Sequence, residues 1–268
     1  MLYQRPDIFC KNVLHEKEER IRHIMSDPLK YYQPFEVKKK SGGTRTIDAP
    51  CPELKAIQRH IYAYLVQFAG VPAYVFGGIK GKDAVHNAAE HKKQKYVFQT
   101  DIKSFFPHIT AKMVYETMCR VGFSADVARI ITKLTTIKKH LPQGSPASPY
   151  IANLAFVPCG NEIAQFCNKY GLVFTTYIDD VTISADWDFK LLTNEVLDIM
   201  KSHGFKISYD KTSFKSGTKV ITGVELFKGH MNPPKGLLEK LKSSEVAPES
   251  KKGILAYCRM IAKTDQEA

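Results

Sequence analysis

"TTYIDDVTIS" (residues 175–184) sets two adjacent aspartates inside a run of threonine, isoleucine and valine. β-Branched and aromatic residues favour strands, so two short strands meeting near Asp179 are expected. Aspartate also suits tight turns, and a hairpin turn with no chemistry is the plain alternative for Tyr177-Ile178-Asp179-Asp180. The flanking strands argue for more, because they would hold two ionised carboxylates close together. Such a pair repels itself unless a cation neutralises it, and oxygen-only ligands select a hard cation such as magnesium. A third acid of the same kind stands in VFQTDIKSFFPHI (97–109), where Asp101 ends an expected strand and is followed by Lys103 and two phenylalanines. One acid from a strand and two from a hairpin suit a clamp for two metal ions about 4 Å apart, the arrangement used in two-metal phosphoryl transfer.

The charge balance points the same way. The 268 residues carry 39 Lys+Arg against 27 Asp+Glu, a net charge of +12, and a surplus of that size favours a polyanionic partner such as nucleic acid. Hydrophobic residues make up 44% and charged residues 25%, ordinary values for a globular protein with a sizeable core. The six cysteines, at 10, 51, 119, 159, 167 and 258, show no CxxC spacing. They read as reduced core thiols, which excludes a zinc ribbon and a disulfide framework. Early, frequent charges exclude a signal peptide at the N-terminus, and no apolar run is long enough to span a membrane. A cytoplasmic location is expected.

Along the chain, helices alternate with short strands, which implies an α+β architecture. Residues 7–27 have helical spacing, and FEVKKKSGGTRTIDAP (35–50) has the form of a β-hairpin with a basic Gly-Gly turn. A helix over CPELKAIQRHIYAYLVQFAG (51–70) leads to a glycine-rich loop, VFGGIKGKD, and then to the helix AVHNAAEHKK. Two helices are expected between 110 and 139, and a long one closes at Gly171. A helix over 189–203 precedes the short strands FKIS, TSFK and KVITGVELF. Two helices form the tail from 233, after a hinge at Pro233-Pro234.

DIKSFFPHI (101–109), LPQGSPASPYIANL (141–154) and YIDD (177–180), in that order and at those separations, resemble the palm motifs of bacterial reverse transcriptases of the retron and group II intron type. The resemblance spans residues 30–230. It implies a right-hand polymerase with an N-terminal helical extension at 1–30 and fingers at 31–100. The palm would occupy 101–230, with a fingers insertion around 110–140 and an antiparallel sheet backed by helices. A short basic helical thumb element would follow at 231–268. Two further pieces narrow the subgroup. HNAAEH contains Asn87-Ala88-x-x-His91, matching the N-A-x-x-H box of retron enzymes, and VITGV (220–224) resembles their V-T-G box with Ile221 in place of valine.

Roles follow from that resemblance. Asp101 and Asp179 would ligate both Mg2+ ions, with Mn2+ as a substitute. Asp180 completes the acidic cluster, and Ile102 joins the implied metal-binding set. Lys211, in GFKISYDKT, matches a lysine placed near the leaving pyrophosphate as general acid. Phe106 would pack beneath the incoming sugar and exclude a 2′-hydroxyl. Gln143 and Gly144 match the template and nucleotide platform, with glycine allowing close backbone approach. Arg45, supported by Lys38, matches a triphosphate contact. Asn87, His91, Lys235, Lys240 and Lys242 are the expected RNA contacts. The implied activity is RNA-directed DNA synthesis on a structured non-coding RNA, primed from an RNA 2′-hydroxyl and giving branched RNA–DNA. It would serve antiphage defence beside a separate effector protein. A non-retron bacterial reverse transcriptase, or a catalytically silent RNA-binding protein on the same scaffold, remains the alternative.

Overall fold

The computed structural model describes residues 5–38, 42–244 and 246–267. Lys39-Lys40-Ser41, in the basic turn of the expected hairpin, lies outside the described residues, as do residues 1–4, Glu245 and Ala268. From the N-terminus the elements are α1 (Pro6–Phe9), α2 (Glu18–Ser26), β1 (Tyr32–Lys38), β2 (Thr44–Pro50), α3 (Pro52–Phe68), α4 (Ala84–Ala89) and β3 (Tyr96–Asp101). Then come α5 (Phe105–His108), α6 (Ala111–Val121), α7 (Ala125–Thr135), α8 (Ser148–Lys169), β4 (Val173–Tyr177), β5 (Asp180–Ala185) and α9 (Thr193–Ser202). The C-terminal part holds β6 (Ser213–Ser216), β7 (Lys219–Ile221), β8 (Val224–Phe227), β9 (His230–Asn232), α10 (Lys235–Lys242) and α11 (Pro248–Glu267). They form two compact units, one of Met1–Val71 with Ser104–Pro158 and one of Pro72–Lys103 with Cys159–Ala268.

In the first unit, β1 and β2 make the expected antiparallel hairpin, in register from Tyr32↔Pro50 to Lys38↔Thr44. Helix α3 presents Leu54, Ile57, Ile61 and Leu65 at helical spacing and buries all four. Gln58 lies on the same buried face, and its amide donates to Tyr32 Oη (2.9 Å) and to the Leu134 carbonyl (2.8 Å). It thereby ties α3 to the first strand and to α7. Helices α6 and α7 start on Thr110 and Ser124, whose hydroxyls accept from Met113 and Val127 N–H. The helical segment expected over 7–27 is broken into pieces, because His15 takes the left-handed conformation (φ 56°) between a π-turn and α2.

The second unit is built on an antiparallel sheet of order β4-β5-β3-β6. Residues 74–77, part of the glycine-rich loop, run beside β4: Phe76 N–H donates to the Thr176 carbonyl and Thr176 N–H to the Tyr74 carbonyl. This places Gly77 against the β4–β5 turn, where a Cβ would stand 2.4 Å from the Ile178 nitrogen. The strand expected over KVITGVELF is instead a hairpin. Thr222 (φ 45°) and Gly223 (φ 82°) turn the chain between β7 and β8, and β9 completes a three-stranded sheet. Only a Gly-containing pair tolerates two successive positive φ values cheaply. The strand expected at FKIS is reduced to one isolated bridge between Ile102 and Ile207.

The two boxes meet in this unit. Val85 and Ala88 of α4 pack with Ile221, Val224, Leu226, Met231 and Ile261 in one buried cluster. Thr222 Oγ1 donates to the Ala84 carbonyl (2.6 Å), and Asn87 Nδ2 reaches Thr222 Oγ1 at 3.4 Å. His91 is wholly buried, with its ring nitrogens hydrogen-bonded to Ser184 Oγ (2.6 Å) and Thr175 Oγ1 (2.7 Å) on the strands that carry the acidic turn. Asn87 and His91, expected as RNA contacts, are both 0% exposed. In this fold their side chains bond Thr222, Ser184 and Thr175.

Burial, reinforced by the Lys219 charge, pushes the His91 imidazole down to about 3. A base depressed in the folded state adds stability above its unfolded pKa of about 6.5, and that stability is lost as pH falls toward 3. Urea unfolding should therefore show a loss of about 2 kcal/mol from this group between pH 6.5 and 5. His91→Gln should flatten that stretch; an unchanged slope would show that His91 protonates in the folded protein. Gly77→Ala should destabilise the protein by about 2 kcal/mol or more, read as a lowered urea midpoint, because the clash is with backbone.

Candidate active site

Strand β3 buries Val97 and Phe98 in the core and delivers Asp101 at its end, 5% exposed. Asp101 stands opposite Asp180 in the β3–β5 register, and Tyr177 opposite Asp180 in the β4–β5 register. The turn between β4 and β5 is therefore Ile178-Asp179, as the clustered threonines and valines predict. Ile178 is left-handed (φ 59°), a strained conformation for a β-branched residue. Gly77 leaves room for it. Ile102 N–H donates to the Asp179 carbonyl (3.0 Å), so the tip is fixed to the end of β3 by a backbone bond.

Asp101 and Asp180 thus share one end of the sheet, with Asp179 at the tip of the adjoining turn. Both oxygens of Asp101 are engaged: Ser208 Oγ donates to Oδ1 and Lys211 Nζ to Oδ2, each at 2.7 Å. The Ser208 N–H also donates to the Asp101 carbonyl (2.9 Å). Burial raises the Asp179 pKa, and the neighbouring Asp101 charge raises it further. Asp180 reaches solvent at its strand end, yet the surrounding protein and the charges of Asp179 and Asp101 push it up to about 6. The Lys211 ammonium is stabilised in turn, first by its bond to Asp101. The donors are all oxygen and anionic, the chemistry that suits Mg2+. Among the described residues, no three His, Cys, Asp or Glu side chains are gathered closely enough to hold an ion. In this arrangement the Lys211 ammonium supplies positive charge to the cluster.

Asp101, Asp179, Asp180 and Lys211 all belong to the second unit, and Lys235, Lys240 and Lys242 lie exposed on its α10. Lys38, Arg45, Phe106, Gln143 and Gly144 belong to the first. There, Phe106 is half-buried beside the buried Phe105, with ring centroids 5.8 Å apart. The Gln143 side-chain oxygen is buried and accepts no hydrogen bond. Gly144 is required by β2, since a Cβ would stand 2.6 Å from the Asp48 carbonyl oxygen. The close approach it permits is to protein backbone. Arg45 pairs with Val37 and Lys38 with Thr44, so the pleat places Arg45 and Lys38 on opposite faces of the hairpin. Lys38 therefore does not back Arg45 from the same side. Ser208 escaped the sequence reading. Its only signal is its place three residues before Lys211, in a segment that a strand pattern masks.

Residues 37–245 match the family described as reverse transcriptase (RNA-dependent DNA polymerase). The chain is 30% identical over 233 residues to the retron Mx65 reverse transcriptase of Myxococcus xanthus, a match covering 79% of this chain and 53% of that protein. It is 31% identical over 209 residues to the retron Se72 enzyme of Salmonella heidelberg (76% and 54%). It is 30% identical over 199 residues to the retron Ec86 enzyme of Escherichia coli (72% and 62%). The chain thus spans a little over half the length of these relatives. Among solved structures, telomerase from Candida albicans, in complex with a fragment of telomeric RNA, superposes with a TM-score of 0.55 at 10% identity (79% of this chain, 50% of that one). The foamy viral protease-reverse transcriptase, in complex with double-stranded DNA, gives 0.53 at 15% identity (89% and 40%). These likenesses show a shared fold, and the family match over residues 37–245 places the chain in the reverse transcriptase family, within which these relatives are retron enzymes.

Proposed function

We propose that the chain is an RNA-directed DNA polymerase that copies a structured non-coding RNA from a 2′-hydroxyl primer to give branched RNA–DNA. The observation that carries this reading is the convergence of Asp101, Asp179 and Asp180 at one end of a sheet, with Lys211 bonded to Asp101. Mg2+ bound to these carboxylates would make the primer hydroxyl more acidic and offset the charge of the triphosphate and the leaving pyrophosphate. Asp101 and Asp179 would be its principal holders, with Ile102 beside them, and Asp180 would add the third negative charge. Ser208 orients Asp101. The bond to Asp101 favours protonated Lys211, which would give that proton to the leaving oxygen. Phe106 is the bulky ring assigned to sugar selection, Arg45 the triphosphate contact, and Gln143 and Gly144 the nucleotide platform. The lysines of α10, in the segment assigned as thumb, would grip RNA phosphates. Antiphage defence with a separate effector protein is the biological role that fits a retron-type enzyme.

Four outcomes test this reading. Nucleic acid copurified from the native locus should contain a discrete DNA whose gel mobility shifts on treatment with a 2′–5′ debranching enzyme. Unbranched DNA would keep the polymerase and remove the retron product. Asp179→Asn should lower DNA synthesis by about 1,000-fold or more while RNA binding persists. Lys211→Ala should lower kcat by about 100-fold and remove the basic limb of the pH profile; an unaltered limb would exclude it as the proton donor. Phe106→Ala should admit ribonucleotides in primer extension, and unchanged sugar selection would remove it from the gate.

A further inference from the structure

At the end of β3 away from Asp101, a cavity of about 420 Å3 opens between the segment before β3 and the β7–β8–β9 sheet. Lys92, Lys93, Lys95, Lys219, Lys228 and Phe227 line it. Lys95 directly precedes β3 and Asp101 ends it. At ~3.3 Å per residue they stand about 20 Å apart, so the cavity is separate from the acidic cluster.

Its charge is poorly balanced. Lys92 pairs with Asp265 (3.0 Å), a carboxylate that also meets His230 (3.3 Å). Among the described residues, Lys93, Lys95, Lys219 and Lys228 form no ion pair. Lys219 is the most unusual of them, because it is only 4% exposed and its ammonium donates to the Gln94 carbonyl. A buried ammonium bonded to a neutral carbonyl, with no carboxylate paired to it, is costly unless an anion approaches it. Phe227, 43% exposed, lies at the rim with the Lys228 ammonium 5.3 Å from its ring centroid. An exposed ring beside unpaired cations is the combination that receives an unstacked base next to a phosphate.

We infer that this cavity is a second nucleic-acid site, in which the lysines take phosphates of a single-stranded polynucleotide and Phe227 receives a base. The cations come from three separate chain segments and outnumber what one phosphate needs, which favours a strand over a free nucleotide. RNA and DNA share this chemistry. The inference rests on the reading that the chain handles nucleic acid, but it is tested by binding, whereas that reading is tested by synthesis.

The test measures fluorescence anisotropy of the full chain with labelled single-stranded RNA and DNA oligonucleotides across a range of salt concentrations. Lys93→Gln/Lys95→Gln/Lys228→Gln removes three exposed charges without touching the core. It should weaken binding at least tenfold and lower the slope of log affinity against log salt by about two. Phe227→Ala should weaken binding about tenfold with the salt slope kept. Extension of a pre-annealed primer–template should be retained in both variants. A stronger effect with RNA than with DNA, or the reverse, identifies which strand is held. Unchanged affinity and salt slope in the triple variant would overturn the site. Displacement of the strand by micromolar deoxynucleoside triphosphate, abolished in that variant, would make a free nucleotide the occupant and overturn the strand assignment. A chain that makes no DNA yet loses strand binding in the triple variant would sink the polymerase reading and leave the site standing.

Discussion

Like charges do not assemble by attraction, and the acidic cluster depends on a backbone that leaves them no alternative. The hydrogen bond from Ile102 N–H to the Asp179 carbonyl is the constraint at its centre. It joins the end of β3 to a turn whose first residue, Ile178, is already in an unfavourable conformation. Antiparallel register then sets Asp101 against Asp180, and the lack of a side chain at Gly77 lets a neighbouring segment close over the turn. Each element opposes the separation that the charges favour. Burial and mutual repulsion appear as raised carboxyl pKa values, the expected mark of charge crowded for a purpose.

The two boxes that carry the retron resemblance meet each other in the core of the second unit. Asn87 and Thr222 join α4 to the β7–β8 turn, and His91 reaches from the far side of the same box to β4 and β5. A neutral, doubly bonded imidazole in the core fixes the strands that present the turn. Its contribution is to hold geometry, in the way outer residues orient the groups that touch substrate.

The acid motifs were legible because strand chemistry and charge conflict so sharply there: Thr175, Thr176 and Val181 call for burial while Asp179 and Asp180 resist it. The β1–β2 hairpin and helix α3 were legible from turn residues and helical spacing. Other features were not. The Thr222-Gly223 turn is hidden inside a run of β-formers, and its glycine signals a turn only when the chain has a reason to reverse. Asn87 and His91 looked like polar contacts for a ligand, because nothing local reveals that Ser184 and Thr175 will bond His91 or that Thr222 will meet the Asn87 amide nitrogen. Gly144 was read as allowing close backbone approach, but nothing local reveals that β2 is the backbone that comes so near. The face on which Arg45 sits could be derived only once the register with Val37 was known. In each case the missing information is a long-range partner, which sequence spacing does not encode.

The second unit is discontinuous: its chain leaves after Lys103 and returns at Cys159. Strand β3 therefore emerges during synthesis with neither of its sheet neighbours, and Ser208, which holds Asp101, follows it by 107 residues. Until then both edges of β3 offer unpaired backbone groups, the condition that invites wrong pairing or capture by a chaperone. Asn87 likewise waits 135 residues for Thr222. The carboxylate cluster is thus a late product of folding, and a nascent chain stopped short of the β4–β5 turn carries Asp101 without either of its acidic partners.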